Sequence, residues 1–173
     1  KEEFFNYTLH FCSREDCTQT TISQLYGAKA SVKCAFYRAD NSVIESIPDS
    51  VAAEIVVDEK AKIAADNFSP ISIYKSNSKG IMHNKYCIID DRTVITGSFN
   101  PTTAVEDHND IIIINSTALA SLYISNFEKL KRSSKETALA PTAAAVADNK
   151  PKHNKAVFNV TAIEVYFCPE DNC

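Results

Sequence analysis

Between His83 and Asn100 the chain carries six residues whose types and spacing suit one kind of chemistry: His83, Lys85, Asp90, Gly97, Ser98 and Asn100. On a strand, residues i and i+2 project to the same face, so His83 and Lys85 point together while the apolar residues behind them bury the strand. An imidazole can attack phosphorus while a neighbouring ammonium neutralises the phosphoryl oxygens. The glycine permits a close backbone approach, and Asn100, at the head of an expected short helix, can offer an amide N–H to an anion. A single histidine before a strand is usually an ordinary surface or core residue. Six specified residues at fixed intervals point instead to a phosphate-handling site.

The elements that must position these residues read as α/β. Tyr7 to Cys12 and Ser31 to Tyr37 are strands flanking a helix from Asp16 to Lys29, a strand–helix–strand unit. Ala53 to Val57 and Ile71 to Tyr74 read as further strands with a short helix, Asp58 to Ala65, between them. Lys85 to Ile89 and Thr93 to Thr96 surround Asp90-Asp91-Arg92, a turn-rich tripeptide, and should pair antiparallel. A short helix is expected from Pro101, a buried strand over Asp110 to Ile114, and a long helix from Ser116 to Ser134 whose Lys129, Lys131 and Arg132 suit a negative dipole end.

At 173 residues, 45% of them hydrophobic and 23% charged, the chain has the size of one domain with a real core. No stretch approaches the roughly 18 to 20 apolar residues that span a bilayer. The net charge of -4 argues against holding a polyanion by bulk electrostatics, yet it is unevenly spread: residues 1–70 sum to -4, 71–160 to +3 and 161–173 to -3. The positive segment contains the phosphate kit, and Lys75 and Lys79 shortly precede His83.

The pattern H-x-K-x4-D-x6-G-S-x-N resembles the HKD motif of the phospholipase D superfamily at every defined position. With the elements around it, residues 4–135 resemble one HKD domain of the small, nuclease-like branch, and the resemblance implies an α/β/α sandwich with a central mixed β-sheet. It further implies a phosphodiesterase whose site is completed by a second HKD motif, from a homodimer or from a second repeat, with one histidine becoming a covalent phosphohistidine. Nucleic acid is the expected substrate. A phospholipid phosphodiesterase and a catalytically inactive binding module of the same fold are the alternatives.

Carried over by motif, His83 is the nucleophile or its acid/base counterpart, Lys85 and Asn100 bind phosphoryl oxygens, Ser98 supports the pocket, and Asp90 orients the motif's turn. Lys79 is a further candidate substrate contact. Relatives often have an Asn-x-Glu or Glu-Asn element after the motif; here Glu106-Asp107-His108-Asn109-Asp110 stands there, and Asp110 is favoured over Glu106 as the carboxylate orienting the imidazole. His108 reads as a loop residue. Relatives also often have Phe after the motif's Asn, where Pro101 is read as a helix-start variant. No metal or cofactor is implied, since lysine, asparagine and a second imidazole do the work of a divalent ion.

Residues 136–155 have the composition of a linker, and residues 156–173 echo the start of the chain: Phe11-Cys12 and Cys17 recur as Phe167-Cys168 and Cys173, as though a second repeat began there. Cys12 with Cys17, and Cys168 with Cys173, can each form a local disulfide, remain thiols, or together hold zinc if the two ends meet. Cys34 and Cys87, on apolar strand faces, are expected to be inert buried thiols. Six cysteines and four N-x-[ST] sequons, at Asn6, Asn67, Asn115 and Asn159, lean towards an extracytoplasmic chain, and Lys1 with a single Met82 places the start codon upstream.

Overall fold

The computed structural model describes residues 6–63, 70–77, 79–102, 108–136, 155–158 and 161–167. An eight-stranded sheet runs in the order β1-β7-β6-β5-β2-β3-β4-β8. Its members are β1 (Asn6–Phe11), β2 (Ser31–Phe36), β3 (Ala52–Val57), β4 (Ser72–Ser76), β5 (Lys85–Ile89), β6 (Thr93–Gly97), β7 (Asp110–Asn115) and β8 (Ser134–Glu136). Strands β2, β3 and β4 pair parallel and every other neighbouring pair is antiparallel, so the sheet is mixed.

Helices cover both faces. α1 (Cys17–Tyr26) begins where the Asp16 carboxylate accepts the Gln19 N–H at 2.9 Å, and it ends at Gly27. With α2 (Asn41–Glu45) it buries Leu25, Val43 and Ile44 against Val32, Cys34, Ile55 and Ile113. α3 (Thr117–Arg132) is capped by the Ser116 hydroxyl, which accepts the Leu119 N–H at 3.1 Å. It packs Leu119, Leu122 and Phe127 on Ala35, Val56, Ile88, Val94 and Ile114 of the other face. A separate hairpin joins β9 (Lys155–Phe158) to β10 (Thr161–Glu164), and Phe167 lies edge-on to Tyr123, ring centroids 5.3 Å apart.

Several expectations are corrected. β1 and β2 do run parallel, but β7, β6 and β5 lie between them, so the first strand–helix–strand unit is split. No helix forms at Asp58–Ile63: the Asp58 carboxylate accepts the Lys60 and Met82 N–H groups, at 3.0 and 2.9 Å, which ties one turn of chain to the approach to His83. Ala64 and Ala65 lie outside the described residues. The long helix stops at Arg132, and Ser134–Glu136 instead closes the sheet edge beside β4. Most of the helix expected after Pro101 lies outside the described residues, and Pro101 and Thr102 are not helical.

Cys34 and Cys87 are not thiols but a disulfide. They face each other across β2 and β5 with Cα atoms 4.1 Å apart, the close spacing of directly opposed antiparallel residues. Cys12 and Cys17 form the local disulfide that was one of the readings. Cys168 and Cys173 lie outside the described residues, as does most of the linker.

Candidate active site

Strand direction explains why the motif residues gather. β1, β2, β3, β4 and β6 end, and β5 and β7 begin, at one end of the sheet. That end therefore collects His83 and Lys85 from the start of β5, Ser98 and Asn100 beyond β6, Asp110 from the start of β7, and Tyr37 just past β2.

Lys85 Nζ lies 3.1 Å from His83 Nε2 and donates to the His83 carbonyl oxygen at 3.0 Å. A protonated lysine aimed at Nε2 keeps the lone pair there, which is the form a nucleophilic imidazole needs. His83 is exposed and Lys85 half-buried; burial pushes the Lys85 ammonium below its usual 10.5. An anion arriving at this ammonium meets a charge less screened than one in open water.

The register sets Tyr86 opposite Thr96, which carries Gly97 and Ser98 past Lys85. A Cβ on Gly97 would meet the Asp110 carbonyl oxygen at 2.2 Å, so only glycine lets β6 approach β7 this closely. Ser98 Oγ donates to Asp110 Oδ1 at 2.9 Å and accepts the Asp110 N–H at 3.1 Å. Asp110 is thus placed against Ser98 rather than against the imidazole it was expected to orient. Glu106 lies outside the described residues, and His108 is an exposed loop residue. Asn100 is half-buried, and its Oδ1 is enclosed without a hydrogen-bond donor among the described residues. Lys79 is exposed in the turn leading to His83.

Asp90 stands at the other end of β5, about 17 Å from Lys85 by strand rise, with His83 two residues further still. Its carboxylate accepts the N–H groups of Lys29, Ala30 and Ser31 at 3.1, 2.7 and 3.0 Å, while φ values of 51° and 50° at Asp90 and Asp91 turn the β5–β6 hairpin. It holds the α1–β2 connection and touches nothing at the imidazole end. Burial pushes this carboxyl up, but the Ser31, Ala30 and Lys29 N–H groups and the Lys29 charge outweigh that and hold it below its ordinary 3.8.

Since the folded pKa of Asp90 lies below the unfolded one, its stabilisation is complete above the unfolded value and disappears as pH falls through the folded value. Asp90→Asn is expected to cost about 1–2 kcal/mol at neutral pH, after discounting for partial exposure. The gap to the wild type should close in acid. Urea unfolding across the acid range checks this, and a gap that does not change with pH counts against it.

Sequence reasoning missed Tyr37. Its ring centroid lies 4.7 Å from that of His83, and Lys85 Nζ sits 5.4 Å from the same ring. Arg38 stacks on it with Cζ at 5.0 Å from the centroid. The available signal was the pair Phe36-Tyr37 at a strand end: Phe36 goes into the core, so its neighbour must turn elsewhere. The aromatic face, rather than a carboxylate, is what packs against the imidazole. Tyr37→Leu is expected to lower kcat/KM about 10- to 100-fold through a misplaced imidazole, whereas Tyr37→Phe stays near wild type. Equal losses in both variants, by steady-state kinetics, would remove the ring's role.

Among the cations at the end of α3, Lys131 is paired with Glu54 and lies over Tyr74, 5.1 Å from the ring centroid. Burial alone would lower its pKa, but Glu54 holds it above the usual value. No group of three or more metal-ligating side chains occurs among the described residues, and no described helix is long and apolar enough to cross a membrane.

Comparison with known proteins converges on one family. The family described as "Cardiolipin synthase, PLD-like domain" matches residues 38–131. A phospholipase D of Rickettsia typhi is 30% identical over 141 residues, covering 74% of this chain and 69% of the relative. A mitochondrial cardiolipin hydrolase of Xenopus laevis is 26% identical over 122 residues, covering 63% of this chain and 58% of the relative. Among solved structures, the phospholipase D family member Nuc from Salmonella typhimurium superposes with a TM-score of 0.71 at 21% identity, over 78% of this chain and 99% of that one. The α/β/α architecture with its mixed sheet is therefore that of Nuc, and the matched span encloses the whole motif from His83 to Asn100. This chain belongs to the phospholipase D superfamily and is a phosphodiesterase of that kind.

Proposed function

We propose that the chain hydrolyses phosphodiester bonds of nucleic acid through a covalent phosphohistidine at His83, in a site completed by a second copy of the motif. His83 Nε2 attacks phosphorus and the bond to the leaving oxygen breaks, with the second imidazolium giving its proton to that oxygen. Water then attacks the phosphorus of the phosphohistidine, the bond from phosphorus to His83 Nε2 breaks and returns its electron pair to the ring, and the second imidazole, now neutral, takes the proton from the water. Lys85 moves from Nε2 to a phosphoryl oxygen as substrate enters, which frees the nucleophile's lone pair. Asn100 and Ser98 support the same oxygens.

The observation that carries the nucleic-acid reading is the charge at the site's end of the sheet. Arg38, Lys75 and Lys85 stand at or next to the ends of β2, β4 and β5 there, with Lys79 in the connection before His83, and they outnumber Asp40, Asp58 and Asp110 at the same end, in an acidic protein. A second reading, a phospholipid phosphodiester, is favoured by the relatives' names, phospholipase D and cardiolipin hydrolase. Incubation with labelled single- and double-stranded DNA, RNA, and phosphatidylcholine and cardiolipin vesicles, all with EDTA, separates the two. Cleavage of nucleic acid with intact lipid supports the first. Lipid turnover without nuclease activity replaces it with the second, and binding without turnover of any substrate removes both.

A further inference from the structure

We infer that Asn6 carries an N-linked glycan, attached at the end of the molecule opposite the phosphate site. The inference is independent of the substrate reading. Two observations support it besides the sequon Asn6-Tyr7-Thr8. First, all four cysteines among the described residues are joined in disulfides, one of them fully buried across the central strands, so the fold is matched to an oxidising compartment, where N-glycosylation also takes place. Second, the sequon is placed where a glycan can stand.

Asn6, Tyr7 and Thr8 are all exposed, and they open β1, the edge strand of the sheet. The pairing of Asn6 with Asn115 and of Phe11 with Asp110 puts Asn6 about 17 Å along the strand from the end where Asp110 and His83 lie. A glycan there leaves the phosphate site, and any second motif closing over it, unobstructed. It also sits at the first residue of an edge strand that invites pairing between molecules, and its bulk would hinder that pairing, although Tyr7 and Leu9, 58% and 45% exposed, project to the opposite face.

The neighbouring sequon Asn115-Ser116-Thr117 is built differently. Asn115 is half-buried with its Oδ1 accepting from the Thr93 hydroxyl at 2.7 Å, and Ser116 is the fully buried cap of α3. A glycan at Asn115 would have to break into the packed β7–α3 junction. The sequons at Asn67 and Asn159 lie outside the described residues.

The modification is a group transfer from a lipid-diphosphate-linked oligosaccharide. The Asn6 Nδ2 forms a bond to the anomeric carbon of the first sugar and gives up one proton. The bond from that carbon to the diphosphate oxygen breaks, and the lipid diphosphate leaves. The Thr8 hydroxyl completes the sequon that the transferase reads.

The test is expression of the chain in eukaryotic cells with a secretion signal. The wild type is expected to migrate one discrete step more slowly than Asn6→Gln. Peptide N-glycosidase should abolish that step and leave Asp in place of Asn at position 6 by mass spectrometry. Thr8→Ala should behave as Asn6→Gln, Thr8→Ser should keep the step, and Asn115→Gln should leave it unchanged. Co-migration of wild type and Asn6→Gln, or recovery of unmodified Asn6 after the glycosidase, overturns the inference. If Asn6→Gln fails to be secreted, the peptide mass of the wild type decides alone.

Discussion

His83→Ala is expected to lower phosphodiesterase kcat by at least about 10³-fold while leaving the fold intact, because it deletes the attacking atom and little else. The ring is exposed and, among the described residues, is held by surface contacts with Tyr37 and Lys85, so the cost in stability should stay within about 0.5 kcal/mol. Lys85→Ala should fall about 10²- to 10³-fold, since it removes one fixed charge from the phosphoryl oxygens but spares the nucleophile. A single-turnover reaction with labelled substrate, quenched in base, should trap an acid-labile label on the wild type and none on His83→Ala. Retention of a tenth of the activity in His83→Ala, or a label on another residue, ends the covalent mechanism. The need for a second motif can be read from the same variant. If two chains share a site, mixing and refolding wild type with His83→Ala makes activity fall with the square of the wild-type fraction; a linear fall means that each chain works alone.

How much of this was legible in the sequence differs from level to level, for physical reasons. The hairpin around Asp90 and the capped helix after Ser116 are local: turn chemistry, alternation and helical spacing lie within a few residues of each other, and both elements form there, the helix ending at Arg132 rather than Ser134. The insertion of three strands between β1 and β2 is not local, because it depends on which edges pair across the sheet. The same limit hid the Cys34–Cys87 bond. Each cysteine reads as an apolar strand residue, and only the β2–β5 register brings the two face to face. At the site, spacing alone put His83 beside Lys85, as the strand period requires. It could not tell that Asp110 would be engaged by Ser98, nor that Tyr37, some forty-six positions before His83, would pack on the imidazole.

Removing the Cys34–Cys87 bond is expected to be the costliest change to stability. It closes a separation of 53 residues, for which loop-closure entropy alone gives about 4 kcal/mol. The Cys12–Cys17 bond closes only 5, worth about 2 kcal/mol on the same basis. Cys34→Ala/Cys87→Ala should therefore lose about 2–4 kcal/mol in urea unfolding, and more than Cys12→Ala/Cys17→Ala. Each single variant at Cys34 or Cys87 should cost nearly as much as the pair, because either one breaks the same bond; additive singles would show that packing, not the cross-link, is being measured. Both sulfurs are in the core, at 0% and 1% exposure, so reductant should act only when the protein opens and should leave the native state untouched on short exposure. The bond also ties the strand that carries Lys85 to the strand that ends at Tyr37. Its loss should accordingly loosen the Tyr37–His83 contact and lower kcat/KM at temperatures where the fold still holds. A double variant with full activity and a loss under about 1 kcal/mol would mean that sheet packing alone holds β5 against β2, and that the cross-link matters only to the unfolded chain.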